Sequence, residues 1–215
     1  MIEDRMKTWE SLFKRALAVL DNAFKAGMPD DWSFGGGTVL MLKYNHRFSK
    51  DVDIFVPDLQ CLGFLSPRLN DEAEVGTASY DEQTNSLKLY YNEGEVDFVV
   101  ATPLTSAPFE KQEIVGRLVN VETPLEIVAK KLNFRAADFK ARDLFDLALV
   151  LEYEPTAISP LAHLIRIKED LLTERFRSRD AELREDFQAL DVLDFNPSFD
   201  TCLKLVEKVG GVHLH

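Results

Sequence analysis

Residues 34–56 read FGGGTVLMLKYNHRFSKDVDIFV. A glycine triplet heads an apolar run, and two aspartates interrupt an otherwise apolar hexapeptide. No other stretch constrains the fold as tightly. Glycine inside a helix or strand costs roughly 0.5–1 kcal/mol per residue relative to alanine. Gly35–Gly37 therefore marks a turn, preceded by a short strand, WSF, and opening a helix over VLMLKYN. DVDIFV alternates as a half-buried strand does. Val52, Ile54 and Val56 take the core face, and Asp51, Asp53 and Phe55 the other.

In a strand, residues i and i+2 point the same way, roughly 6.6 Å apart. Asp51 and Asp53 are thus placed to converge on one or two divalent ions, and Mg²⁺ suits hard oxygen donors that leave positions for water and phosphate. A third acid, Asp97, sits mid-strand in GEVDFVV, with Val96, Phe98 and Val100 on the opposite face. If that strand lies beside DVDIFV, three carboxylates meet, and a cation relieves their repulsion. The glycine turn lets backbone approach a ligand, and free amides at a helix start attract phosphate oxygens. Gly36 and Gly37, with the Thr38 hydroxyl, are candidates for that contact. Taken singly, each motif also fits a plainer reading: solvent-facing acids on an edge strand, or a tight strand-to-helix turn. Neither a Walker sequence nor a dinucleotide fingerprint is present.

The remainder frames these motifs. The chain has 215 residues, 46% of them hydrophobic, enough for a sizeable core. No run approaches the ~20 apolar residues of a membrane span. The charged, amphipathic N-terminus lacks an apolar signal core and reads as cytoplasmic. Cys61 and Cys202 are far apart, as two free thiols would be. Net charge is −12, which disfavours a broad nucleic-acid footprint. Yet between Lys130 and Arg142 the bases Lys130, Lys131, Arg135, Lys140 and Arg142 face a single acid, Asp138, so a polyanion site belongs there. Residues 4–27 predict an amphipathic helix. A short helix follows around 59–65, then three antiparallel strands joined at DEQTN and NEGE, and one further strand over EIVGRLVNVET. From Thr123 the pattern is helical, with Thr123 as N-cap, Pro124 at N1 and Glu126 closing a capping box. Helices continue over 159–189 and 198–209. The expected fold is α+β: a mixed sheet with flanking helices over 1–121, then a helical bundle over 122–215.

Gly-Gly-Thr, twelve residues, Asp-Val-Asp and a later strand Asp resemble the DNA polymerase beta-like nucleotidyltransferases. Arg47, Phe48 and Ser49 before the acids narrow the resemblance to the AbiEii/AbiGii toxin branch. So do Ala129, Lys131, Leu132, Arg135, Arg142, Asp143, Asp146 and Leu147 in ETPLEIVAKKLNFRAADFKARDLFDL. The resemblance implies a minimal nucleotidyltransferase sheet with a helical domain, transfer of a nucleoside monophosphate from an NTP with Mg²⁺, and a toxin role beside a cognate antitoxin. On this reading Asp51, Asp53 and Asp97 hold metal. Gly36, Gly37, Thr38, Arg47 and Ser49 contact nucleotide, and Lys131 and Arg135, four residues apart on one helix, clamp the triphosphate. Lys131 joins the three acids as a catalytic candidate. Asp143 and Asp146 share a partly apolar stripe and need partners, in an active-site network with Lys131 or in a structural ion pair with Arg142. His46 reads as a surface or turn residue, His163 as a core or boundary residue, and His213 and His215 as a frayed end. The acceptor is left open among an RNA end, a protein side chain and a small molecule. A small-molecule nucleotidyltransferase of the aminoglycoside-modifying type, and an idle nucleotide- or partner-binding relative, are the alternatives.

Overall fold

A computed structural model of the chain describes residues 7–214. The chain divides into two compact units. The first comprises Met1–Val39, Ser49–Pro103 and Phe109–Glu122; the second comprises Leu40–Phe48, Leu104–Pro108 and Thr123–His215.

In the first unit, helix α1 (Thr8–Lys25) buries Trp9, Leu12, Phe13, Ala16, Val19, Leu20 and Ala23, the stripe expected from the three- and four-residue apolar spacing. The part of the predicted helix at residues 4–6 lies outside the described residues, as does His215. Strand β1 (Ser33–Gly35) runs into helix α2 (Gly36–Tyr44), and β2 spans Val52–Val56. Short helices α3 (Gln60–Leu65) and α4 (Asp71–Glu74) precede β3 (Ser79–Glu82), β4 (Ser86–Tyr91), β5 (Gly94–Val100), β6 (Phe109–Ile114) and β7 (Arg117–Glu122). All seven strands form one mixed sheet in the order β3-β4-β5-β2-β1-β7-β6. β2 pairs parallel with β5 and antiparallel with β1, while β1 pairs parallel with β7. Val52, Ile54, Leu87, Leu89, Val96 and Phe98 are wholly buried. The rings of Phe13 and Phe34, 4.6 Å apart, pack α1 against β1.

EIVGRLVNVET is not one strand. Val115 and Gly116 both adopt positive φ, at 52° and 76°, and turn the chain into the β6–β7 hairpin. A turn of that hand calls for Asn-Gly or Asp-Gly, so a valine in it leaves no signal in the sequence.

In the second unit, α5 (Pro124–Arg135) starts as predicted: the Thr123 side chain accepts from the Glu126 amide. Glu126 does not close a capping box. Its wholly buried carboxylate accepts instead from the amides of Leu104 and Thr105 and from the Thr105 hydroxyl, at 2.7–3.2 Å. The helical stretch is also broken. A 3₁₀ turn at Ala136–Asp138 separates α5 from α6 (Ala141–Tyr153). Helices α7 (Ile158–Ile167), α8 (Glu169–Ser178), α9 (Asp180–Gln188) and α10 (Phe199–Gly210) complete the unit. Inside it, Phe145 packs edge-on against Phe187 and Phe195. His163 is exposed, not a core or boundary residue. Cys61 and Cys202 are free, buried thiols. Among the described residues, no helix is long and apolar enough to cross a membrane.

Candidate active site

The register of the sheet decides which of the sequence's acids meet. Gly35 on β1 pairs with Asp53 on β2, Asp53 with Asp97 on β5, and Asp97 with Lys88 on β4. One row across four strands thus carries a glycine, two acids and a lysine. Residues paired across neighbouring strands present their side chains on the same face. Asp53, Asp97 and Lys88 are accordingly the half-buried members of alternating strands whose other residues fill the core.

The glycine turn makes room for this row. Gly36 has φ of +76°, and a Cβ there would fall on the Asp53 carboxylate. Only glycine combines that backbone conformation with so close an approach of a side chain. Gly35 is hemmed in differently, since a Cβ would strike the Glu122 carboxylate and the Phe55 ring. Thr38, wholly buried, donates its hydroxyl to the Asp51 carbonyl at 2.5 Å and lies 3.1 Å from the Ser49 hydroxyl. Thr38 and Ser49 therefore tie the start of α2 to the chain entering β2. Asp51, one turn of the pleat before Asp53, accepts a 3.3 Å hydrogen bond from the Glu95 amide, linking the starts of β2 and β5.

The electrostatics record crowding of negative charge. Burial, reinforced by the charge of Asp53, pushes the Asp97 carboxyl up to about 7, despite an opposing pull from Lys88. Burial, with the charges of Glu95 and Asp53, also raises Asp51. Lys88 reaches Glu95 at 2.7 Å and Asp97 at 3.2 Å. Burial disfavours its ammonium, but these two carboxylates more than offset that and raise it. Sequence reasoning missed Lys88. The signal was there: counting back from the NEGE turn brings Lys88 opposite Asp97.

Among the described residues, no three His, Cys, Asp or Glu side chains gather closely enough to hold one metal ion, so the acids that meet are the pair Asp53 and Asp97. Mg²⁺ of the kind used in phosphoryl transfer needs only one or two carboxylates, because waters and substrate phosphates supply its other ligands. Two in-register acids, one pushed towards neutral by burial and by the charge of the other, fit that requirement.

The second unit holds a buried ion network. Asp146, wholly buried on α6, accepts two hydrogen bonds from the Arg47 guanidinium at 2.7 Å, one from His46 Nε2 at 2.8 Å, and lies 2.9 Å from Lys131 Nζ. Lys131 also reaches Asp143 at 2.5 Å, and Arg135 approaches Asp143 at 3.7 Å. Burial alone would raise both acids. Arg47, Lys131 and the His46 hydrogen bond instead hold Asp146 well below the usual carboxylate range, and Lys131 with Arg135 does the same for Asp143. Arg142 is exposed and is not the partner of Asp146. His46 is no surface residue: it is wholly buried, with its ring stacked 5.8 Å from Phe145. Burial lowers its pKa, and its Nδ1 lacks a hydrogen-bond partner, the state expected of a neutral ring donating through Nε2. The pairing of His46 and Arg47 with an acid some hundred residues later left no local pattern to read. The structure thus places the predicted residues in two sets: Gly36, Gly37, Thr38, Ser49, Asp51, Asp53 and Asp97 in the first unit, and Arg47, Lys131, Arg135, Asp143 and Asp146 in the second.

A family model described as nucleotidyl transferase AbiEii toxin, type IV TA system, matches residues 18–205. No curated protein matches the chain. Among solved structures, JHP933 from Helicobacter pylori is similar at 17% identity and a TM-score of 0.50, covering 94% of this chain and 92% of its own. MenT4, a nucleotidyltransferase toxin from Mycobacterium tuberculosis H37Rv, is similar at 20% identity and a TM-score of 0.47, with 91% and 80% covered. The antibiotic-resistance factor ANT(2'')-Ia is similar at 17% identity and a TM-score of 0.47, with 84% and 98% covered.

Proposed function

The chain belongs to the AbiEii nucleotidyl transferase toxin family, and from that premise we propose that it transfers a nucleoside monophosphate from an NTP to an acceptor hydroxyl. The observation that carries this reading is the in-register pair Asp53 and Asp97 beside a turn that only glycine allows. In the reaction, the acceptor oxygen bonds to the α-phosphorus as the bond to pyrophosphate breaks, and the hydroxyl proton is released. Such chemistry asks the protein for in-line positioning and charge neutralisation more than for covalent participation. Asp53 and Asp97 would hold Mg²⁺, which would lower the charge on the phosphates and favour the acceptor alkoxide, with Asp51 adding negative charge beside Asp53. Gly36 and Gly37 offer backbone at the start of α2 to the β/γ-phosphates, with Thr38 and Ser49 fixing that turn against β2. In the second unit, Lys131 and Arg135 are the cations proposed for triphosphate contact; Asp143 holds both, and Asp146, itself paired with Arg47, holds Lys131.

RNA is our preferred acceptor, reached through its end, because the acidic surface disfavours a wide footprint. The family description, which places its members in toxin–antitoxin systems, supports a cognate antitoxin as partner. The test is incubation with α-labelled NTPs, Mg²⁺ and total RNA. Labelled RNA is expected, and folded Asp53→Ala should label none. Label confined to a small molecule would replace RNA as acceptor. Persistent labelling by folded Asp53→Ala would remove that acid from the mechanism. Lys131→Ala is expected to weaken Mg²⁺·NTP binding at least tenfold, and an unchanged isotherm would take Lys131 out of phosphate recognition.

A further inference from the structure

Lys88 has no place in the chemistry described so far, yet it stands on the same row as the acids. It pairs across the β4–β5 ladder with Asp97 and across the same ladder lies near Glu95. Its Nζ is 3.2 Å from Asp97 Oδ2 and 2.7 Å from Glu95 Oε2. It also lies 5.9 Å from the centre of the Tyr90 ring, two residues along its own strand. From one position the ammonium therefore serves two carboxylates. One, Asp97, is the carboxylate that the proposed metal needs. The other, Glu95, is the nearer, and the Tyr90 ring lies beside it.

We propose that Lys88 is a built-in competitor for the metal site: its ammonium neutralises Asp97 while the site is empty and must withdraw onto Glu95 when a divalent cation arrives. This rests on the reading of Asp53 and Asp97 as metal ligands. Two like charges cannot share one carboxylate without mutual repulsion. Withdrawal is inexpensive, because the shorter contact to Glu95 and the Tyr90 ring both survive it. The consequence is a site tuned to load weakly by metal alone. A metal brought with nucleotide phosphates carries extra ligands and so overcomes the competitor. Lys88 is thus a positioning residue that couples metal occupancy to nucleotide arrival.

The experiment titrates Mn²⁺ into the full chain without nucleotide, following free ion by its electron spin resonance signal at fixed pH. The variants are Lys88→Met, Lys88→Gln and, as a charge control, Lys111→Met. Lys111 is exposed on β6, at the opposite edge of the sheet from β4 and three strands from β2. Folding of each variant is checked by circular dichroism. Removing the adjacent positive charge is expected to tighten Mn²⁺ binding about tenfold in both Lys88 variants, and less than twofold in Lys111→Met. Lys88 variants that bind no tighter than the parent, or a gain matched by Lys111→Met, overturn the competitor role while leaving the metal ligands standing. Absence of Mn²⁺ binding in every protein, including titrations with NTP present, overturns the metal site and the competitor together.

Discussion

Asp53 and Asp97 are register partners on two adjacent parallel strands, although 43 residues separate them in the chain (97 − 53 − 1). A parallel pair needs a crossover connection, and here that connection is the stretch containing α3, α4, β3 and β4. The two acids are brought side by side by sheet topology, and the charge they share is what a metal would relieve.

The glycine at the head of α2 is the most exposed point of this design to a single methyl group. Gly36→Ala puts a Cβ onto the Asp53 carboxylate at a backbone angle that alanine disfavours. We expect a loss of about 1–3 kcal/mol in stability, read from urea midpoints, and at least tenfold weaker Mn²⁺ binding. A variant that matches the parent in both would show that Asp53 does not need the space.

The metal-free protein should become less stable as pH rises. Asp97 has a folded pKa of about 7, above the ~3.9 of an unfolded aspartate. The folded state therefore binds more protons across that window, and stability falls from about pH 4 to about pH 7. Asp97→Asn should flatten this slope in chelator-treated protein, and saturating Mg²⁺ should restore stability to the parent at pH 7.5. A slope unchanged by the substitution would assign it to other groups.

Acid should undo the second unit by the opposite sign. Asp143 and Asp146 are held below their ordinary range by their cations, so their stabilisation is present above about pH 4 and is lost as pH falls through their folded values. Asp146→Ala takes the carboxylate from the buried Arg47 guanidinium and leaves Lys131 with Asp143 alone. That is expected to cost about 3–5 kcal/mol, measured at pH 7 by chemical denaturation. A cost below about 1 kcal/mol would mean the network is solvated and structurally dispensable.

The β6–β7 turn holds removable strain. Val115 is a β-branched residue at φ 52°, where asparagine is far better tolerated. Val115→Asn should stabilise the protein by about 1 kcal/mol, a rise in melting temperature of roughly 2–4 °C for a chain of this size. An unchanged or lowered melting temperature would show that the valine side chain contributes packing that outweighs its backbone strain.

How much of this was legible beforehand varies by residue. The alternation of DVDIFV and GEVDFVV gave the faces of Asp53 and Asp97, because side-chain direction in a strand follows from a period of two. Thr123 before Pro124 gave the start of α5, because a cap is satisfied within three residues. The role of Glu126 was misjudged for the same reason in reverse: its partners, Leu104 and Thr105, lie some twenty residues upstream. The β6–β7 hairpin was missed because its turn uses a valine against local preference, and such preferences yield to tertiary context.

The amino-acid sequence alone settled what is local: alternation, caps, the glycine turn, and the types of acid and base on offer. The fold decided what meets what. Register set Asp53 beside Asp97 and Lys88 opposite it, and the second unit closed His46 and Arg47 onto Asp146. The reason is that strand order, register and buried charge pairing are fixed by long-range burial and ion-pair energies summed over the unit, and no window of neighbouring residues contains those sums.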